Sequence, residues 1–189
     1  KIVSPLFSRL FPEVPKEHPA VGAMMMNFSM NMLGLDNAAT PMGLKAMKEL
    51  QTLNPEKERA TNAQIMFLVL NTSGLTIIPV SVFAILAANG DPSPASVFLP
   101  ILISTYFASL AGLIIVSIRQ KINLFNKVVL AYIGTMTLLI AALLYYVFLN
   151  PDKSEFISNV VGYTLIFVII LSFILLAAIK RINAYDSFI

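Results

Sequence analysis

Two short stretches carry the residue types that could do chemistry. Residues 31–41 read NMLGLDNAATP and residues 71–79 read NTSGLTIIP. The first supplies Asn31, Asp36, Asn37 and Thr40, and the second Asn71, Thr72, Ser73 and Thr76. Carboxamides and hydroxyls donate and accept hydrogen bonds, so the chemistry they point to is binding of a small polar solute. Each stretch also holds a glycine and ends on a proline. Gly34 and Gly74 release the backbone from the Cβ restraint, while Pro41 and Pro79 lack an N–H and push the preceding residue away from the α region. A helix is expected to end near Gly34 and a new one to start at Pro41. Asp36, Asn37 and Thr40 would then lie between them, capping the second helix or facing something bound.

Both stretches interrupt apolar sequence. In hydrocarbon, irregular backbone survives only where protein or a water-filled cavity covers it, and paired interrupted helices mark binding sites in transporter folds. The residues also admit a packing role: Ser and Thr back-bond to helix carbonyls, and Gly lets helices approach closely. Helix N-termini at Pro41 and Pro79 favour an anionic or electron-rich group. Asp36 opposes that preference and suits a cation or proton, or caps a helix at the membrane interface.

The composition says what must position these residues. Of 189 residues, 57% are hydrophobic and 12% charged, where a soluble domain carries about 25% charged residues. Mean hydropathy is +0.79. The expected fold is an all-α integral membrane protein, a multi-pass helical bundle with two discontinuous (broken or re-entrant) helices. Cysteine is absent and there is one histidine, which excludes disulfides, thiolate metal sites and imidazole clusters. No interleaved basic and aromatic stripe points to nucleic acid. No Ser/His/Asp constellation, phosphate loop or pair of intramembrane carboxylates is visible, so neither an enzyme nor a cofactor is expected.

Residues 4–12 read as a short amphipathic piece, with Pro5 placed to start a helical turn and Pro12 to end it. His18 suits a solvated or capping role. Residues 20–33 are too few to cross a bilayer alone. They continue in extended form or return as a half-helix. Met24, Met25, Met26, Met30 and Met32 are adaptable packing material, and Asn27 and Asn31, four apart, share a face that needs polar partners. Residues 43–53 read as a surface helix with Leu44, Met47 and Leu50 opposite Lys45, Lys48 and Glu49. Thr61 or Asn62 caps the next helix. Spans are expected at residues 64–88, 97–118, 128–149 and 156–179. Basic groups at 45–59, 119–127 and 180–181 alternate with loops at Asp91 and Asp152, which assigns the basic ends to the cytoplasmic side.

FPEVPKEHPA (11–20), NMLGLDNAATPMGLKAM (31–47) and FLVLNTSGLTIIP (67–79) resemble the spore maturation protein A family. That family belongs to the nucleoside recognition or Gate domain group, which is similar to membrane parts of concentrative nucleoside transporters and ferrous iron transport protein B. The resemblance covers residues 5–119. It implies a Gate-like module over residues 1–119, followed over 120–189 by a two-helix connector toward a spore maturation protein B-like part, whose opening the tail INAYDSFI (182–189) resembles. The family usually has membrane helices before the position of Lys1, and commonly Gly where Asp36 stands. Both ends therefore read as cut, as in part of a fused A and B product. The implied setting is the bacterial inner (cytoplasmic) membrane, with a transport or gating role. The alternative is a non-transporting scaffold or assembly subunit. The implied partners are the lipid bilayer, a B-type partner or fused half, and further copies of the chain.

Overall fold

Capping residues and prolines set most of the helix bounds. In the computed structural model, which describes residues 4–179, α1 (Ser4–Leu10) carries Pro5 in its first turn. Helix α2 (Pro19–Met32) opens on a proline, where the missing N–H costs nothing. His18 caps it, its Nδ1 accepting from the Ala20 N–H at 3.2 Å. Helix α3 (Asp36–Thr52) follows after a tight turn, and α4 (Asn62–Ser73) starts on a capping box. There the Gln64 N–H donates to Thr61 Oγ1 at 3.2 Å and the Thr61 N–H donates to Gln64 Oε1 at 2.8 Å. Helix α5 (Val80–Ala88) is short. A 3₁₀ turn at Pro94–Val97 leads into α6 (Phe98–Gln120). Asn126 caps α7 (Lys127–Leu149), and a second 3₁₀ turn at Pro151–Lys153 leads into α8 (Ser154–Ile179). Among the described residues there is no strand.

Three segments are long and apolar enough to cross a membrane: Pro94–Gln120, Lys127–Leu149 and Pro151–Ile179. The chain is a membrane protein. The outer faces of α7 and α8 are correspondingly apolar, with Phe148 80% and Phe167 65% exposed, and lipid is the solvent that suits them. Residues 64–88, expected to span with an interruption, fall in α4 and α5, which residues 74–79 separate.

The start of α3 differs from the sequence expectation. It begins at Asp36, five residues before Pro41, and the proline lies inside it. Proline removes only the one N–H that would reach the Asn37 carbonyl, and Asn37 is exposed. Against that cost, Asp36 favours the positive end of the helix dipole, and Ala38 and Ala39 are strong helix formers. Their N–H groups both donate to the Leu35 carbonyl, at 3.0 and 2.9 Å.

Helices α2 and α3 form a hairpin, with His18 Nε2 3.3 Å from Thr52 Oγ1 at its open end. Two hydrophobic clusters hold the bundle. One joins α1, α2, α3, α4 and α6 through Phe7, Met24, Leu50, Met66, Phe67 and Leu113. Phe28 bridges it by edge-to-face contacts to Phe7 at 5.6 Å and Phe67 at 5.4 Å. The other joins α5, α6 and α8 through Phe83, Phe98, Leu102 and Ile157.

The basic loops share one end of the molecule. Gln120 Nε2, beside Arg119 and Lys121, donates to the Asn62 carbonyl at 2.9 Å, which brings residues 54–62 and 119–127 together. Asp91 and Glu155 line one cleft at the other end. Lys180, Arg181 and the tail from residue 182 lie outside the described residues. At the basic end a knot of amides fixes the α3–α4 connection. Gln64, 5% exposed, donates through Nε2 to Gln51 Oε1 at 2.7 Å. Asn54 Nδ2 donates to the Arg59 carbonyl at 2.8 Å. Buried amides of this kind are costly unless satisfied, so the knot holds α4 in one position relative to α3.

Candidate functional site

The turn between α2 and α3 docks on the interval between α4 and α5. Met32 lies in the last turn of α2, where carbonyls lack an intrahelical donor. Its carbonyl accepts from the Ile77 N–H at 2.8 Å and the Ile78 N–H at 2.9 Å. The Gly34 carbonyl accepts from the Ser81 N–H at 3.3 Å and from the Ser81 hydroxyl. Each irregular segment thus satisfies the unpaired main-chain groups of the other. The approach is close enough to require glycine. Gly34 has φ +61°, and a Cβ there would sit 2.9 Å from the Ile78 carbonyl oxygen and 2.9 Å from Pro79 Cα. Gly74, at φ +52°, ends α4 in the left-handed region.

Beside this contact runs a chain of carboxamides. Asn27, 1% exposed, donates through Nδ2 to the Ala39 carbonyl of α3 at 2.8 Å. Asn31 Nδ2 donates to Asn27 Oδ1 at 3.3 Å and to Asn71 Oδ1 of α4 at 2.5 Å. Gly43 makes room for it, since a Cβ at that position would lie 2.9 Å from Asn27 Nδ2. Three helices are therefore tied by amides at the level where the two irregular segments meet.

Of the residues singled out in the sequence, Asn31 and Asn71 come together. Ser73 and Thr76 instead face α6. Ser109 Oγ donates to the Ser73 carbonyl at 3.4 Å, and the Thr76 N–H donates to Thr105 Oγ1 at 3.2 Å. Their own hydroxyls are used locally, Ser73 on the Leu70 carbonyl at 3.1 Å and Thr76 on the Gly74 carbonyl at 3.1 Å. Asp36, Asn37, Thr40 and Thr72 are exposed and stand outside the amide chain. The Thr40 hydroxyl returns to the Asp36 carbonyl at 3.1 Å. Sequence reasoning missed Ser81, Gly43 and Thr105 as parts of this region. The signal for α6 was present: Thr105 and Ser109 are four apart, so they share one face of an apolar span.

A cavity of about 350 Å³ adjoins the amide chain between α1, α2, α4, α6 and α7. Asn31, Tyr106 and Ser109 contribute polar atoms, as do Ser29 and Tyr132, while Phe28, Leu70 and Ile133 are typical of the apolar wall. No charged residue lines it.

Residues 1–89 match the Gate family model, described as nucleoside recognition. Spore maturation protein A of Bacillus subtilis (strain 168) is 37% identical over 115 residues. The chain is similar to both over these residues. That alignment covers 61% of this chain and 59% of the relative, so the chain spans about three fifths of the protein it matches. No solved structure matches the chain. The Gate match ends at Asn89, which is also the C-cap of α5. Asn27, Asn31, Gly34, Asn71 and Gly74 therefore all lie inside the Gate-matched segment, whereas Thr105 and Ser109 lie beyond it.

Proposed function

We propose that the chain is a non-enzymatic transport or gating module of a bacterial inner membrane, in which a small solute bearing hydrogen-bonding groups is held between two interrupted helices. The single observation that carries this reading is the Asn31–Asn71 hydrogen bond, made where the Gly34 turn meets residues 77–81. Helix α2 rises ~21 Å at 1.5 Å per residue and returns as α3, which suits a re-entrant hairpin in a core ~30 Å thick. Helices α4 and α5 together rise ~31 Å, which suits one broken crossing. One carboxamide contact in a membrane interior is worth about 1 kcal/mol, so the Asn31–Asn71 bond is weak enough to open while the main-chain bonds from Ile77, Ile78 and Ser81 hold the two segments together. When it opens, the Asn31 and Asn71 carboxamides become available to a solute. The adjoining cavity falls within the ~300–1,000 Å³ of ordinary ligand sites. The matched family's description, nucleoside recognition, names a solute of the uncharged, hydrogen-bonding kind that such amides read.

The test is solute flux into proteoliposomes, with nucleosides and neutral amides in the panel. The intact protein should exceed empty vesicles for at least one solute. Asn71→Ala should lower that flux roughly tenfold, the factor for ~1.4 kcal/mol of lost interaction, while keeping its helical signal. Undiminished flux in a folded Asn71→Ala variant would refute the reading, as would no flux above empty vesicles for any solute.

A second reading, an assembly subunit, draws on α8, which is mostly exposed beyond Gly162. A B-type partner or a second copy would cover that face. Co-purification at fixed stoichiometry, in a protein without flux, would favour it.

A further inference from the structure

We infer that the cavity between α1, α2, α4, α6 and α7 takes an uncharged amphiphile, a compact apolar body with one hydrogen-bonding head seated against Asn31 and Ser109. This rests on the reading above and narrows its solute. Charge is excluded by the walls. With no charged side chain lining the space, an ionised ligand would be desolvated without a partner, at a cost of several kcal/mol. A hydroxyl-rich ligand fares little better, since each buried group left unpaired costs ~1–3 kcal/mol. Most of the wall can offer no partner: Phe7, Phe28, Leu70, Leu113, Ile133 and Met136 belong to five different helices and are all apolar.

Asn31 and Ser109 have capacity to spare, and both bond the C-terminal turn of α4, at Asn71 and Ser73. The Tyr106 hydroxyl is engaged with Thr137, and the Ser29 hydroxyl donates to the Met25 carbonyl at 2.9 Å. Ser109, by contrast, holds the Ser73 carbonyl at 3.4 Å, the limit of a hydrogen bond. Asn31 spends its Nδ2 on Asn27 and Asn71, and neither of those bonds uses its Oδ1. A head with one donor and one acceptor, such as a primary amide, fits this pair. The volume of about 350 Å³ corresponds to roughly a dozen water-sized groups at ~30 Å³ each, which suits a substituted ring and is too small for a two-chain lipid. Met25, Met32 and Met136 let the walls adapt to the body of the ligand.

The chain contains no tryptophan, so Met136→Trp on the cavity wall gives a lone fluorescent reporter. Leu138→Trp, at a position 72% exposed on the lipid face, reports the bilayer background. In phosphatidylcholine nanodiscs, 4-bromobenzamide should quench the Met136→Trp protein saturably and the Leu138→Trp protein only in proportion to its partitioning. The isosteric anion 4-bromobenzoate should be at least tenfold weaker at the cavity. Adding Ser109→Ala, which changes little volume, should weaken the amide about two- to tenfold, the factor for one hydrogen bond. Asn31→Leu should do the same. Equal, unsaturable quenching at both reporters would mean that acyl chains fill the space and would overturn the inference, and so would equal binding of the benzoate. Protection of the Met136→Trp reporter by uridine would overturn the amphiphile class while leaving the gating reading standing. Saturable amide binding without flux would do the reverse.

Discussion

Replacing Gly34 by alanine tests the joint between the two irregular segments directly. Two costs arise from different geometry. The first is conformational: at φ +61° an L-residue with a Cβ loses about 1–2 kcal/mol in the left-handed region. The second is steric. The new Cβ would meet the Ile78 carbonyl oxygen and Pro79 Cα at 2.9 Å and the Val80 nitrogen at 3.0 Å. These are main-chain atoms, held by the bonds from Ile77 and Ile78 to the Met32 carbonyl and from Ser81 to the Gly34 carbonyl. Relieving the clash means lengthening at least two of those bonds, at about 0.5–1.5 kcal/mol each. The sum is roughly 2–5 kcal/mol, or a fall in melting temperature of about 4–20 °C for a chain of this size.

Two controls separate the terms. Gly74→Ala shares the positive φ, yet its nearest neighbour is the Asn71 carbonyl oxygen at 3.6 Å, so it should show the conformational cost alone. Gly34→Asn recovers most of the left-handed term, because asparagine tolerates that region, but keeps the clash. The assay is thermal unfolding in one detergent, followed by circular dichroism. The expected order of stability is intact protein, then Gly74→Ala, then Gly34→Asn and Gly34→Ala. If Gly34→Ala melts with Gly74→Ala, the close docking of the Gly34 turn on residues 78–80 is refuted.

Gly43→Ala should cost about 1–3 kcal/mol by pushing Asn27 Nδ2 off the Ala39 carbonyl. In a double-mutant cycle with Asn27→Ala the costs should be strongly non-additive, and simple additivity in denaturant titrations would refute the contact. Thr61→Ala removes the cap of α4 and should cost about 1 kcal/mol. Gln64→Ala, which also removes the bonds of Gln64 to buried Asn54 and to Gln51, should cost more, and unfolding midpoints of the pair give the ranking. Because the chain lacks cysteine, Lys57→Cys and Asp152→Cys are clean topology reporters. An impermeant maleimide should label them from opposite sides of the membrane, and labelling from one side would overturn the assignment of basic and acidic ends.

The parts of this molecule legible in its sequence are those decided within a few residues. Thr61 marks a helix start because capping is a local matter between a side chain and an N–H two or three positions on. The apolar runs of α6, α7 and α8 announce themselves by length alone. The start of α3 departs from the expectation for an equally local reason: the helix-forming Ala38 and Ala39, with Asp36 at the positive end of the dipole, outweigh Pro41. What sequence could not supply is pairing across elements. Spacing puts Asn27 and Asn31 on one face of α2, yet nothing in residues 20–33 says that the face meets Asn71 rather than Thr72, its neighbour in α4. That choice is made by the crossing of α2 over α4, which is fixed by the fit of a glycine without Cβ against Ile78 and Pro79 and by the amide knot around Gln64. Asp36, Asn37 and Thr40, grouped with Asn31 by proximity along the chain, then turn outward as the first turns of a helix. Polar composition identifies where a membrane chain departs from regular structure, whereas backbone packing selects which polar groups face one another. Substitutions at Gly34 should therefore perturb the Asn31–Asn71 contact more than substitutions at Asp36, although only Asp36 carries a charge.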